Sequence, residues 1–130
     1  DGDLRGGEEL EEVAADAASF GETFRSVTRL AASRLKELEA AGRRAVVWGA
    51  GSKGVMFLNL FKESPVLDYA VDINPKKQGK YIPGSGHKIV ADEALKETRP
   101  DVVLVMNPLY MREIAKRLAD LGVRAELLTV

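Results

Sequence analysis

Six consecutive residues, Gly49-Ala50-Gly51-Ser52-Lys53-Gly54, carry the spacing G-x-G-x-x-G. The context strengthens the pattern, because the loop follows an expected strand, Arg44–Trp48, and opens an expected helix, Lys53–Lys62. The first glycine permits a tight turn, the second lets a ligand reach the backbone, and the third lets helix and sheet pack closely. Free N–H groups at the helix start favour an anion, and Lys53 adds a mobile positive charge beside them. Ser52 belongs to the same loop but has no evident base to make it a nucleophile. Asp72 closes the second expected strand, 18 residues after Gly54, where an acid in dinucleotide-binding domains accepts hydrogen bonds from a ribose. Two readings of the loop stand side by side: a phosphate-bearing ligand touches it, or the glycines only shape the turn.

A second stretch, Asp72–Lys88, gathers Lys76, Lys77, Lys80, His87 and Lys88 in one irregular segment with two prolines and three glycines. Long loops at the carboxyl edge of a sheet commonly bind ligands. The alternative is a solvated basic loop that balances acidic neighbours. His87 is the one histidine of the sequence and has no partner at metal-ligand spacing, so no metal site is expected. Ligand contact and simple exposure are equal readings for it. No complete catalytic constellation is present.

The elements that must hold these residues follow from periodicity. Residues 1–7 form a polar, Gly-rich lead-in. Residues 8–42 place apolar residues at Leu10, Val13, Ala17, Phe20, Phe24, Val27, Ala31, Leu35 and Leu38, the spacing of an amphipathic helix with one narrow seam. That helix would run roughly 50 Å, with Gly21 as a potential break and Gly42 as its C-terminal stop. Residues 43–130 alternate short β-rich runs with helical ones. Leu67–Val71, Lys88–Val90, Val102–Met106 and Val123–Val130 read as further strands, Asp92–Arg99 as a helix with acids in its first turn. The segment Lys53–Lys62 is apolar nearly all round and so reads as a buried helix. Asn107 and Pro108 supply the N-cap and first position of a last helix ending at Gly122. Strands joined through helices pair in parallel by right-handed crossovers. The expected fold is therefore α/β and Rossmann-like, a mostly parallel sheet of order 3-2-1-4-5 flanked by helices, with the long helix in front.

Composition limits the rest. The 130 residues suit one compact unit, and 45% hydrophobic with 30% charged is ordinary folded material. There are no cysteines, which removes disulfides, thiol nucleophiles and cysteine-based zinc sites. A net charge of −1 offers no overall basic field for nucleic acid. The apolar runs are far too short to span a membrane, and the acidic start is unlike a signal peptide. A cytoplasmic protein is expected. The abrupt start in mid-pattern reads as a piece of a longer chain.

Three segments, VVWGAGSKGVMFLNLF, VDINPKKQGKYIPGSGHKIV and RPDVVLVMNPLYMREI, together resemble the C-terminal domain of S-adenosylmethionine-dependent C-methyltransferases, a family that includes enzymes acting on nucleotide-linked deoxysugars. A GAxxKG loop, a D-x-N-P-x-K-Q-G-x-x-x-P-G segment and a PD-x-x-x-x-x-x-N strand end recur there in this order. The resemblance implies that Gly49, Gly51, Lys53 and Gly54 correspond to the first motif. It assigns Asp72, Asn74, Pro75, Lys77, Gln78, Gly79, Pro83 and Gly84 to the second and Asn107 to the third. It further implies a substrate-side domain that closes over a nucleotide-sugar and binds no cofactor itself. S-adenosylmethionine and the catalytic residues would belong to a preceding domain, so this domain alone would be inactive. Two departures bear on the acceptor: Ser85-Gly86-His87 stands where a Thr-His pair is common, and Met106-Asn107 where Trp-Asn is common. Two other classes remain open, a nicotinamide dinucleotide-binding module and a structural or assembly domain. In the last, the helical seam would dock on another domain or form a homodimer.

Overall fold

The computed structural model describes residues 17–129, with side chains from Thr28 onward. The lead-in 1–7 and the expected helix start at Glu8 lie outside the described residues, as do the side chains of the seam before Thr28. The elements are α1 (Ala17–Ala40), β1 (Ala45–Trp48), α2 (Ser52–Leu60), β2 (Leu67–Val71), β3 (Ile89–Val90), α3 (Leu95–Thr98), β4 (Val102–Val105), α4 (Met111–Leu121) and β5 (Glu126–Thr129). A 3-10 turn leads into α3 and another into α4. β2 has the expected bounds, β1, β3 and β4 each lose one terminal residue, and β5 begins three residues later than expected, at Glu126.

The strands form one five-stranded sheet of order β3-β2-β1-β4-β5, every pair parallel. The chain thus reverses direction of travel between β1 and β4, which sit side by side and leave a switch point at their carboxyl ends. Both central strands are apolar throughout because helices cover both faces. Their alternation divides the core in two. Ala45, Val47, Val102 and Leu104 face α1 and α2, with Leu35, Leu38, Phe57 and Leu58 packed on them. Val46, Val103 and Val105 face α3 and α4, against Leu95, Ile114, Leu118 and Leu121.

Over its described part the long helix follows the expected pattern. It runs through Gly21 without a break. The cost of about 1 kcal/mol for an internal glycine is small beside the helix's apolar packing. Ala31, Leu35 and Leu38 of the seam are buried in the domain's own core. Gly42 ends it in the left-handed conformation, at φ 69°.

Two expectations need correction. The helix α2 is not buried all round: Gly54, Phe57 and Leu58 are, but Met56 and Leu60 are 48% and 47% exposed. The sheet covers one side of it and nothing among the described residues covers the outer side. The segment 92–99 is only one α turn after a 3-10 turn, ending at Arg99 with φ 46°. Its leading acid, Asp92, is drawn away to an ion pair with Arg117 on α4.

Tyr69 on β2 hydrogen-bonds the Thr98 hydroxyl. Burial pushes its phenol pKa up, the Thr98 bond opposes that, and the Asp68 charge adds to the rise. A raised folded value means the unfolded chain ionises first. The contribution to stability is complete below the ordinary tyrosine range and is lost as pH rises through the folded value. Urea melts above about pH 10 should therefore show declining stability, less steeply in Tyr69→Phe. An identical decline in the variant would refute the role of Tyr69.

Candidate functional site

The carboxyl edge collects most of the residues marked by the sequence. Gly49 follows β1 with φ 119°, a conformation that side chains rarely adopt, and its N–H donates to the Val71 carbonyl at 2.8 Å. The chain then enters α2 through Gly51, which is extended and provides no side-chain cap. The first intrahelical bond runs from Val55 N–H to the Gly51 carbonyl at 2.9 Å. The N–H groups of Ser52, Lys53 and Gly54 precede it and have no intrahelical acceptor. No acid occupies the first turn, so no residue of α2 itself offsets the positive end of its dipole. Gly54 is the tightest point: a Cβ there would lie 1.9 Å from the Gly49 carbonyl oxygen.

The loop after β2 braces this turn. Asp72 accepts from Ala50 N–H through Oδ2 at 3.0 Å and from Asn74 N–H through Oδ1 at 2.8 Å. Each of its oxygens already holds a backbone donor. Asn74 in turn accepts from Lys76 N–H at 3.0 Å, and the Gln78 amide donates to the Asp72 carbonyl at 2.8 Å. The half-buried Lys77 reaches back so that its Nζ donates to the Ala50 carbonyl at 3.2 Å. Lys53 and Lys76 are exposed. On the other side of the switch point, Asn107 follows β4 and its Oδ1 accepts from Leu109 N–H at 3.0 Å, capping the next turn.

The remaining two expected residues are placed elsewhere. Gly84 lies against the flank of α2, where Asn59 Nδ2 donates to the Pro83 carbonyl at 2.9 Å. A Cβ on Gly84 would fall 2.1 Å from Asn59 Oδ1, and its φ is 90°. His87 precedes β3, on the far side from the carboxyl edge, with Nδ1 2.8 Å from Ser85 Oγ. Its carbonyl accepts from Ile82 N–H at 2.7 Å, and Tyr81 pairs antiparallel with Lys88. The expected irregular loop is thus partly an ordered ribbon, anchored by Ile82, which is 1% exposed. Sequence reasoning missed Ile82 and Asn59. The one available signal for Asn59 was a polar residue inside the apolar run Val55–Phe61.

The arrangement places the helix-start backbone donors and the Lys77 ammonium on the same loop, with Lys53 exposed in the first turn of α2. Among the described residues there is no cluster of three metal-ligating side chains. Nor is any described helix long and apolar enough to cross a membrane.

Residues 7–126 match the C-methyltransferase C-terminal domain family. The chain belongs to that family. No curated protein matches this chain. Among solved structures, UDP-D-quinovosamine 4-dehydrogenase from Vibrio fischeri is similar at a TM-score of 0.54 and 22% identity, over 68% of this chain and 77% of that one. The protein RSP in complex with β-NADH is similar at 0.52 and 20% identity, over 72% of this chain and 57% of that one. A further RSP structure, described as a Rex-family repressor, is similar at 0.50 and 18% identity, over 92% of this chain and 69% of that one. At these identities the likeness is one of fold.

Proposed function

We propose that this domain is the substrate-side part of an S-adenosylmethionine-dependent methyltransferase of the cytoplasm and that it binds a phosphate-bearing, nucleotide-sugar-like substrate. The observation that carries the reading is the start of α2, where uncapped N–H groups meet Lys53 and the reaching Lys77. Family membership supports the methyltransferase context. S-adenosylmethionine and the reacting groups belong to a preceding domain of the same protein in this reading. The present domain binds no cofactor and transfers no methyl group alone. Gly49, Gly51, Ser52, Lys53, Gly54, Asp72, Asn74, Lys77, Gln78 and Asn107 stand at or beside the ligand. Gly84 and His87 shape the ribbon behind it.

A thermal shift panel with dTDP, dTDP-glucose, NAD, coenzyme A and S-adenosylmethionine tests this. A ligand at about 100 times its dissociation constant stabilises by roughly 2.7 kcal/mol. For a domain of this size the melting temperature then rises by several degrees. The expected result is a shift with dTDP-glucose that shrinks in Lys53→Ala. A shift with NAD alone would replace this reading with a dinucleotide-binding module.

A further inference from the structure

The peptide that joins Ala50 to Gly51 is held from outside the glycine loop. Ala50 is buried at 5% exposure, so its backbone groups need protein partners. Its N–H goes to Asp72 Oδ2 at 3.0 Å, and its carbonyl receives Lys77 Nζ at 3.2 Å. Both partners come from the segment after β2. A half-buried ammonium spent on one neutral carbonyl is costly to order, since a long lysine side chain loses much of its rotamer freedom when it is held. Such a contact asks what it accomplishes.

Peptide planarity provides the answer. In a trans peptide the carbonyl and the following N–H point in opposite directions. With the Ala50 oxygen turned to Lys77, the Gly51 N–H is turned away from Lys77 and from the loop that carries it. In the sheet β1 has β2 on one flank and β4 on the other. A donor turned from the β2 flank is turned to the β4 side, toward the switch point beyond which Asn107 caps the next turn. We propose that Lys77 is a positioning residue, one that holds the Ala50 carbonyl so that the Gly51 N–H joins the helix-start donors facing the ligand. The inference rests on the reading of the glycine loop as an anion site. It differs from a direct lysine–phosphate contact, in which Lys77 would leave Ala50 and the peptide orientation would be irrelevant.

The two roles separate in one experiment on Lys77→Met and Lys77→Arg. The amide 15N resonance of Gly51 reports the hydrogen bond on the carbonyl before it. In Lys77→Met that resonance should move upfield while those of Val103 and Leu104 stay in place. Affinity for dTDP-glucose and for inorganic pyrophosphate, measured by calorimetry, should fall roughly tenfold, the loss of one charge-assisted bond's worth of order. Lys77→Arg, which can still donate to the carbonyl, should recover part of both. A tenfold loss with the Gly51 resonance unmoved would overturn the positioning role in favour of direct contact. A moved resonance with unchanged affinity would overturn it too. If the unaltered protein binds neither probe, the anion-site reading itself fails, a result distinguishable from either of these.

Discussion

Gly54→Ala is expected to lower the melting temperature by on the order of 15 °C, from a loss of about 4 kcal/mol. The reason is a contact between backbones. The added Cβ would stand 1.9 Å from the Gly49 oxygen and 3.0 Å from its carbonyl carbon. A flexible side chain could swing aside, but the Gly49 carbonyl cannot, since Gly49 is tied by its N–H to Val71 at 2.8 Å. Either α2 lifts from the sheet, exposing Phe57 and Leu58, or the turn opens. Both outcomes move the helix start, so any ligand response in the thermal shift panel should vanish as well. Gly79→Ala is the control. Gly79 also has a positive φ, 85°, but meets nothing within 4 Å, so the change costs only about 1–2 kcal/mol of conformational strain. Equal melting temperatures for the two variants would show that the close approach at Gly54 is not a packing constraint.

Asp72→Ala should cost about 3 kcal/mol, seen as a lower urea midpoint with an unchanged denaturant slope. It removes the acceptor of two backbone N–H groups at once, those of Ala50 and Asn74. Each carboxylate–amide bond would be worth up to about 3 kcal/mol when buried, and Asp72 is partly exposed, which reduces the sum. Asp72→Asn keeps one acceptor oxygen but turns an NH2 toward the other N–H, and its midpoint should fall between alanine and the natural residue. The experiment also discriminates between functions. A carboxylate that serves chiefly to read a ribose would show little loss of stability and a large loss of nucleotide binding. That outcome would favour the dinucleotide reading over a carboxylate that braces the glycine loop.

These two residues show how unevenly the site could be read in advance. Gly54 is legible because G-x-G-x-x-G between a strand and a helix has one common geometric solution, and the structure adopts it. Asp72 is legible as a residue at the right strand end, but its engagement with Ala50 and Asn74 is not. Whether a carboxylate faces a ligand or its own backbone depends on how the next loop folds back. That loop, 73–88, has no periodicity to read. Its ribbon is held by Ile82 in the core and by Asn59 on α2, contacts between segments far apart in sequence.

The sequence by itself determined the α/β class, the strand order, the glycine turn and the membership in a C-methyltransferase C-terminal domain family. The class, the order and the turn follow from local pattern, namely short apolar strands, period-3.6 helices, turn residues, caps and the right-handed crossover that leaves few topologies. The family follows from the resemblance of three motif segments to it. Tertiary structure decided which polar groups meet. It set Lys77 on the Ala50 carbonyl, turned Asp72 inward, moved His87 away from the carboxyl edge and left Met56 and Leu60 on an open face of α2. Hydrogen bonds are short-ranged and directional, so their partners depend on ångström-scale placement that residue spacing does not encode.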